Sequence, residues 1–456
     1  MKEGNITLMG RGQSVGPQGE PAWTLPSQPS LRYCDTAMEG PKVVLQNGAG
    51  RLADVRTRPF VQLDGSPPLI SFFTGGGFLD LGMARAGFPI AWSLEVQKAF
   101  CDAHDHGMQT LFASLGIPGT APTISCREDI RKKGPAAIRR EALGTISRGD
   151  EFGMIGGPPC PDFSVGGKNR GFAGNRGQLT QLFIERICEL QPTFFLIENV
   201  KGLISTRAHR EFLDTELWKL EEKGYAVDLR VLNALDLGVP QDRERVFIVG
   251  VRREVIRRLY RLRIEKQRRG WFPWPEDPDF KGAKLRFPWP STSPFGADPP
   301  MPEGLPKQLC LAPLILNVED TAKLPNGLEG FAPYSKKFNT IAEGDDSRKS
   351  FKRLHRFRYS PTAAYGNNEV HLHPTQSRRL TVREAMRIQT VPDGYALPQE
   401  MPLSFKFKLI GNGVPVQLAA AVGNSLRQFV LGKGTVIRPG EEETITSACR
   451  EDQPPA

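Results

Sequence analysis

The sequence lacks the features that mark secreted, zinc-bound and membrane-spanning proteins. Its seven cysteines in 456 residues include no C-x-x-C pair, which argues against a disulfide framework and against a structural zinc site. No apolar run approaches the length of a membrane span, and no basic-then-apolar signal pattern opens the chain. We therefore expect a cytoplasmic protein with free thiols, no metal and no membrane partner.

The composition is that of a globular protein with an excess of positive charge. Hydrophobic residues make up 39% and charged residues 24%, and the net charge is +10 with a pI near 9.3. The charge indicates a polyanionic partner, although charge alone fits a membrane surface equally well. Residues 1–66 are rich in Gly, Pro, Ser and Gln without periodicity, and residues 435–456 end in an acidic stretch, so we predict an irregular extension and a disordered tail.

A strand, a glycine turn and a helix follow each other near residue 70. Leu69–Phe73 is typical of a buried strand, Thr74–Gly77 of a turn, and Phe78–Ala86 of a helix. This unit cradles nucleotides in doubly wound folds, although glycine turns often serve only tight packing. A second strand then ends at Glu95, about twenty residues after the turn, where such folds hold ribose hydroxyls.

Two later segments place reactive groups directly after apolar runs. Gly157-Pro158-Pro159-Cys160 follows a short apolar run, and its prolines predict a stiff loop that could hold a nucleophile. The alternative is that Cys160 is a small buried residue, as most unpaired cysteines are. Glu198 follows the apolar strand Thr193–Ile197, which makes it a candidate site residue rather than a helix cap or a surface acid.

Basic side chains are concentrated in the second half of the chain. Alternation puts Gln241, Arg243 and Arg245 on one side of an extended segment, which suits an anionic or nucleobase partner or else a solvated strand. Between residues 253 and 377 the alternation of strands and helices fades, and two clusters mix basic residues with aromatic ones, including Trp271, Phe272 and Trp274. This composition favours a nucleic-acid surface.

Six motifs in this order resemble those of the DNA (cytosine-5) methyltransferases, over roughly residues 68–252 and 376–432. They are Phe73-Thr74-Gly75-Gly76-Gly77, Gly157-Pro158-Pro159-Cys160, Glu198-Asn199-Val200, Gln241-x-Arg243-x-Arg245, Arg379-Leu380-Thr381-x-Arg383-Glu384 and Gly411-Asn412-Gly413-Val414-Pro415.

The resemblance implies an α/β fold: a Rossmann-like S-adenosylmethionine-dependent methyltransferase domain with a small inserted target-recognition domain. The catalytic part would span residues 67–252, the recognition domain 253–377, and the return segment 378–434, whose last helix packs against the first motif. The expected protein is a monomer that modifies a specific double-stranded DNA sequence, as the modification enzyme of a bacterial restriction system does.

The resemblance also assigns roles to individual residues. Cys160 would attack carbon 6 of cytosine, Glu198 would hydrogen-bond N3, Arg245 would contact O2, and Arg243 would help fix Glu198 and the backbone. The implied cofactor residues are Phe73, Thr74, Gly75, Gly77, Glu95, Val96, Asp129, Ile130, Gly157, Pro159, Leu179, Asn412 and Val414. The candidate DNA contacts are Ser164, Lys168, Arg170, Gln241, Arg348, Lys352, Arg353 and Arg356.

The chain departs from the family pattern at three positions. Phe78 stands where the family usually has a third glycine, Ser71 replaces the usual strand-end Asp, and Pro161 replaces a polar residue after the cysteine. We expect a reshaped cofactor rim with binding retained.

Three other functions compete with this interpretation. An RNA cytosine methyltransferase could use the same scaffold, although the Trp-rich insert favours duplex DNA. A nicotinamide or flavin dehydrogenase would explain the glycine turn but leaves Cys160, Glu198 and Arg245 unexplained. A DNA-binding regulator could retain the fold without catalysis.

Overall fold

The computed structural model describes residues 65–117, 121–142, 144, 151–159, 177–348, 350–365, 370–434 and 436. The chain divides into two compact units, Met1–Met38 and Glu39–Ala456, and every described residue belongs to the second. The predicted N-terminal extension and acidic tail lie almost entirely outside the described residues. Cys160, Ser164, Lys168 and Arg170 also lie outside them.

A six-stranded sheet organises the described part of the chain. The strands are β1 Leu69–Phe72, β2 Ile90–Leu94, β3 Gly153–Gly156, β4 Phe194–Val200, β5 Tyr225–Asn233 and β6 Glu244–Arg252. Their order is β2-β1-β3-β4-β6-β5, with parallel pairing from β2 to β4 and with β6 antiparallel to both of its neighbours. This mixed α/β architecture confirms the predicted fold class. Beside β2, the segment near Ser125 adds only a single parallel bridge between Leu94 and Cys126.

The helices are unequal in length. They are α1 Phe78–Arg85, α2 Lys98–Ser114, α3 Pro135–Ala142, α4 Gly177–Leu190, α5 Arg207–Glu222, α6 Arg253–Tyr260, α7 Ala283–Arg286, α8 Ala312–Ile315, α9 Val318–Lys323, α10 Val382–Ile388, α11 Leu403–Asn412 and α12 Val416–Val430. Thr381 and Glu384 form a capping box at the start of α10. None of the helices in the described ranges is long and apolar enough to cross a membrane.

Both faces of the sheet are buried, which explains why its central strands are almost wholly apolar. Successive side chains of a strand point to opposite faces. Leu69 and Leu196 accordingly join one buried cluster, and Ile70 and Ile197 join another. A strand covered on both sides needs apolar residues at every position, so no alternation with polar residues is seen.

The last described helix, α12, packs on the first helix, α1, and covers the face of the sheet that carries Leu69 and Leu196. A Cβ on Gly82 of α1 would lie 2.3 Å from the Cβ of Ala419 on α12, so only glycine permits this close approach. The same helix presents Leu418, Leu426 and Phe429 to the cluster beneath it. The prediction that a C-terminal helix returns to the first motif is therefore confirmed.

The Trp-rich segment is part of this core, which corrects its interpretation as a nucleic-acid surface. Trp271 and Phe272 are fully buried and Trp274 nearly so. The rings of Trp271 and Phe272 lie 5.4 and 5.6 Å from the ring of Phe429 on α12. Interleaved aromatic and basic residues do not show which side chains face inward, and here the aromatic ones do.

Elsewhere in residues 253–377 the helices and strands are short and no longer alternate regularly, as predicted. It includes the helices α7 to α9 and a two-stranded parallel ladder of β7 Lys352–Arg353 with β8 His371–Leu372. The boundaries of a separate recognition domain stay a prediction.

Phe78 is accommodated by a glycine on the return segment. Its side chain is 2% exposed, and its ring packs edge-on against Tyr395 with centroids 6.0 Å apart. A Cβ added to Gly413 would lie 2.2 Å from this ring. The large side chain of Phe78 therefore fits because Gly413 has no side chain.

We predict that Gly413→Ala destabilises the protein by about 1–3 kcal/mol, because the new methyl overpacks the site against Phe78. Phe78→Leu in the same chain should recover part of the loss in a double-mutant cycle measured by urea unfolding. Gly134→Ala is the matched control, since a Cβ added to Gly134 would have no described neighbour within 4 Å. Additive effects of the Gly413 and Phe78 changes would contradict this coupling.

Candidate active site

A cleft of about 990 Å³ opens where the parallel strands end. Its wall is formed by the segments that follow β1, β2 and β3, by the end of β4, by Arg245 on β6 and by the loop between α11 and α12. Open α/β sheets bind their ligands at the carboxyl ends of their strands. The cleft is therefore placed where this fold class binds ligands.

Twelve of the thirteen residues predicted to hold a cofactor line this cleft. They are Phe73, Thr74, Gly75, Glu95, Val96, Asp129, Ile130, Gly157, Pro159, Leu179, Asn412 and Val414. Gly77 does not line it and instead precedes α1 with a φ of 72°, a conformation that favours glycine. Glu198 and Arg245 line the same cleft, so the structure brings the two predicted groups of residues together.

The carboxylate of Glu95 fixes the shape of the glycine turn. One oxygen accepts from the backbone N–H of Gly75 at 2.9 Å, and the other accepts from Gln97 N–H at 2.8 Å. Each carboxylate oxygen has a second lone pair, so further acceptor capacity remains. Asp129 is instead paired with Arg131, and this pairing lowers the pKa of Asp129.

Glu198 and Arg245 form a buried ion pair across the antiparallel β4–β6 pair. The Nε of Arg245 lies 3.0 Å from Oε1 of Glu198, and both side chains are about nine-tenths buried. Burial raises the pKa of Glu198, opposed by the charges of Arg245 and Arg243. Burial therefore favours the neutral form of this carboxyl, and the two guanidinium groups favour its charged form.

The loop before Cys160 lies against Glu198. A Cβ added to Gly157 would be 3.1 Å from Oε2 of Glu198, so the carboxyl lies close to the backbone at that point. Asn199 also donates to the carbonyl of Pro158 at 3.4 Å. Pro159 is the last described residue of this loop.

Arg243 connects the sheet to the return segment. It is fully buried, and its Nη2 donates to the carbonyls of Gly411 and Gly413 at 2.8 and 2.7 Å. Its Nη1 donates to the carbonyl of Ala363 at 3.3 Å. It acts on Glu198 through its charge, and its Nη1 also donates to the side-chain oxygen of Gln241 at 3.5 Å, so its hydrogen bonds go to backbone carbonyls and to this amide.

Three of the predicted DNA contacts are corrected by burial. Gln241 is fully buried and donates to the carbonyl of Ile388 and the side chain of Gln389. Arg353 is fully buried and donates to the carbonyls of Phe338, Ile341 and His373. Arg356 is 8% exposed and pairs with Glu343. Their hydrogen-bonding groups serve the protein interior.

The other two described candidates remain accessible. Arg348 is exposed and Lys352 is half-buried. Contact of either residue with DNA stays a prediction.

The family model of the C-5 cytosine-specific DNA methylases matches residues 68–428. The chain belongs to this family. The predicted identification as a DNA cytosine-5 methyltransferase is thereby confirmed.

Curated relatives agree with this assignment, and a solved structure has a similar fold. A type II methyltransferase, M.NmeDI of Neisseria meningitidis serogroup C, is 40% identical over 79% of this chain and 84% of its own length. The type II methyltransferase M.FnuDI of Fusobacterium nucleatum is 28% identical over 83% of this chain and 99% of its own. The fold is similar to that of a candidate DNA modification methyltransferase encoded within an E. coli prophage, with a TM-score of 0.55 and 24% identity over 79% of this chain and 98% of that one.

Sequence reasoning missed several residues that line the methylase cleft. Arg131, Tyr365 and Lys408 have no distinctive local pattern. Asp80 does have one, because it is an acid within the buried helical run Phe78–Met83. The signal that identified Glu198, an ionisable group among apolar residues, applies equally to Asp80.

We predict that Arg243→Met destabilises the methylase by about 3 kcal/mol, because the carbonyls of Gly411 and Gly413 lose buried charged donors. Chemical unfolding monitored by circular dichroism measures the loss. Arg207→Met is the matched control: Arg207 is 92% exposed and pairs only at the surface with Glu211, so its change should stay within about 0.5 kcal/mol. Equal effects of the two substitutions would contradict the anchoring role.

Proposed function

We propose that this methylase transfers a methyl group from S-adenosylmethionine to carbon 5 of an extruded cytosine in a specific double-stranded DNA sequence. The observation that carries the proposal is the buried Glu198–Arg245 pair, which opens into the same cleft as the Gly75 turn and the Gly157–Pro159 segment. The pocket that would hold the methyl donor is thus continuous with Glu198 and Arg245, the polar groups that would hold a planar ring. The type II relatives support the role of a modification enzyme in a bacterial restriction system.

The cleft suits an adenosine cofactor with an amino-acid end. Its volume of about 990 Å³ exceeds that of a single small ring, and its wall combines apolar surface with carboxylates. We assign Glu95 to the ribose hydroxyls, Asp129 to the adenine amino group, and Phe73 and the Gly75 turn to the methionine part. When bound, S-adenosylmethionine supplies an electrophilic methyl group.

The chemistry requires a nucleophile because carbon 5 of cytosine is itself unreactive. The sulfur of Cys160 would add to carbon 6 and displace the ring's electron pair toward carbon 5, which would make carbon 5 nucleophilic toward the methyl group that bound S-adenosylmethionine would supply. Loss of the carbon 5 proton to water then expels Cys160 and restores the aromatic ring. The products are 5-methylcytosine and S-adenosylhomocysteine.

Glu198 and Arg245 would stabilise the ring during this addition. Negative charge develops on N3 and O2 as sulfur adds, so a proton or donor at each position lowers the barrier. The raised pKa of Glu198 supports its role at N3, and the neighbouring guanidinium supports a contact of Arg245 with O2. Neither group can reach a stacked base, so the cytosine must leave the duplex.

The DNA would be held mainly through its phosphates. The net charge of +10 supports this, as do the exposed Arg348 and the half-buried Lys352. Ser164, Lys168 and Arg170 remain candidates for phosphate contacts near the extruded base. We place the protein in the bacterial cytoplasm, where its DNA substrate lies.

We predict that Cys160→Ser reduces methyl transfer to below about one thousandth, because the hydroxyl is a much weaker nucleophile than the thiolate. Transfer of labelled methyl groups to unmethylated genomic DNA measures the rate. Cys188→Ser is the matched control, since Cys188 lies on α4 away from the cleft-lining residues, and it should leave the rate unchanged. Turnover by Cys160→Ser near the wild-type rate would exclude the covalent mechanism.

We predict that Glu198→Gln lowers the transfer rate about 100-fold or more, because the amide cannot supply a proton to N3. Binding of S-adenosylhomocysteine should change by less than about twofold, since Glu198 is assigned to the base rather than to the cofactor. Single-turnover kinetics and calorimetry separate the two effects. A fall in cofactor affinity with an unchanged rate of transfer would refute the assigned role.

A further inference from the structure

Asp80 is a buried acid that the mechanism above leaves unused. It lies in the first turn of α1 and is 1% exposed, yet it contributes to the cleft wall. Its Oδ1 accepts from the hydroxyl of Ser71 at 2.6 Å. Its Oδ2 is buried and has no hydrogen-bond partner among the described residues.

The other carboxylates of the cleft are already engaged. Glu95 accepts from two backbone N–H groups, Asp129 pairs with Arg131, and Glu198 pairs with Arg245. Among the carboxylates that line the described cleft, Asp80 is the one with a fully buried oxygen that lacks a hydrogen-bond donor. A cationic donor entering the cleft would find its acceptor there.

Burial makes the unliganded state of Asp80 unfavourable. It raises the pKa of Asp80 to about 6, with the charge of His104 and the Ser71 hydrogen bond opposing the shift. A buried acceptor without a donor has lost its water and gained no partner in exchange. The position of Asp80 near the N-terminus of α1 offsets only part of this cost.

Ser71 explains why the acid is held at this point. It stands at the end of β1, where the family usually has an aspartate, and its hydroxyl also lies 3.3 Å from the hydroxyl of Thr74. The hydrogen bond from Ser71 brings a carboxylate of α1 to the end of this strand. Ser71 carries no negative charge, and Asp80, nine positions later, supplies one next to it.

We infer that Asp80 binds the α-ammonium group of the methionine part of the cofactor, with Ser71 orienting the carboxylate. The inference rests on the proposed cofactor. S-adenosylmethionine carries two cationic groups, and the ammonium carries N–H donors whereas the sulfonium has none. An oxygen that lacks a hydrogen-bond donor selects the ammonium.

Calorimetric titration of three ligands into the full-length protein distinguishes a contact of Asp80 with the ammonium from a contact with the sulfonium. S-adenosylmethionine has both cations, S-adenosylhomocysteine has only the ammonium, and 5′-methylthioadenosine has neither. Asp80→Asn should weaken the first two by about tenfold, the size expected for one charge-assisted hydrogen bond, and should leave the third unchanged. Loss confined to S-adenosylmethionine would indicate a sulfonium contact and overturn the inference.

Equal loss of all three ligands, or loss of none, would also overturn it, since Asp80 would then act only on the structure or not at all. Asp129→Asn is the contrasting variant, because an adenine contact should weaken all three ligands alike. Wild-type protein that binds none of the ligands would instead refute the proposed cofactor itself. The two failures are therefore distinguishable.

If Asp80→Asn does not fold, a double variant in which Ser71 and Asp80 exchange places still tests the inference. Ser71→Asp combined with Asp80→Ser returns the carboxylate to the strand end and keeps the same two side chains in contact. This double variant should bind S-adenosylhomocysteine within about threefold of wild type, whereas Asp80→Ser alone should lose about tenfold. Failure of the exchange to recover affinity in a folded protein would count against the inference.

Discussion

The cleft depends on the hydrogen bonds that the buried guanidinium of Arg243 donates. It lies one residue before β6 and reaches the carbonyls of Gly411 and Gly413, which are more than 160 positions away in the chain. Gln241 and Gln389 extend the same network to the carbonyl of Ile410. These hydrogen bonds join the segment before β6 to residues near the ends of α10 and α11. The loop that carries Asn412 and Val414 is thereby held on the wall of the cleft.

The second constraint is the ion pair of Glu198 and Arg245. Either charge alone at this depth would be strongly unfavourable, and together they remain buried because the antiparallel strands hold them at a fixed distance. Arg243 and Arg245 both act on Glu198, but in different ways: one contacts it and the other contributes only its field. The same segment thus supplies the ion-pair partner of Glu198 and the anchor of Gly411 and Gly413, two residues apart.

Much of this arrangement could be predicted from local patterns. The glycine turn, the acids at strand ends and the capping box of Thr381 with Glu384 are short-range signals whose physical causes act within a few residues. The errors came where long-range packing decides. Trp271 and Arg353 occur in segments with the composition of a nucleic-acid surface, yet one packs on Phe429 and the other donates to carbonyls of the interior. Local sequence does not show which face of an irregular segment turns inward. Asp80 did carry a local signal, an acid within an apolar run, but its contact with Ser71, nine residues away, is visible only in the structure.

The packing of α12 on α1 has a consequence for the order in which the protein is made. Leu418 and Phe429 cover the face of the sheet that carries Leu69 and Leu196, and they follow Leu196 by more than 200 positions in the chain. Chains grow at about 5–20 residues per second, so this apolar surface stays uncovered for many seconds during synthesis. The cleft can assemble only after α12 has left the ribosome.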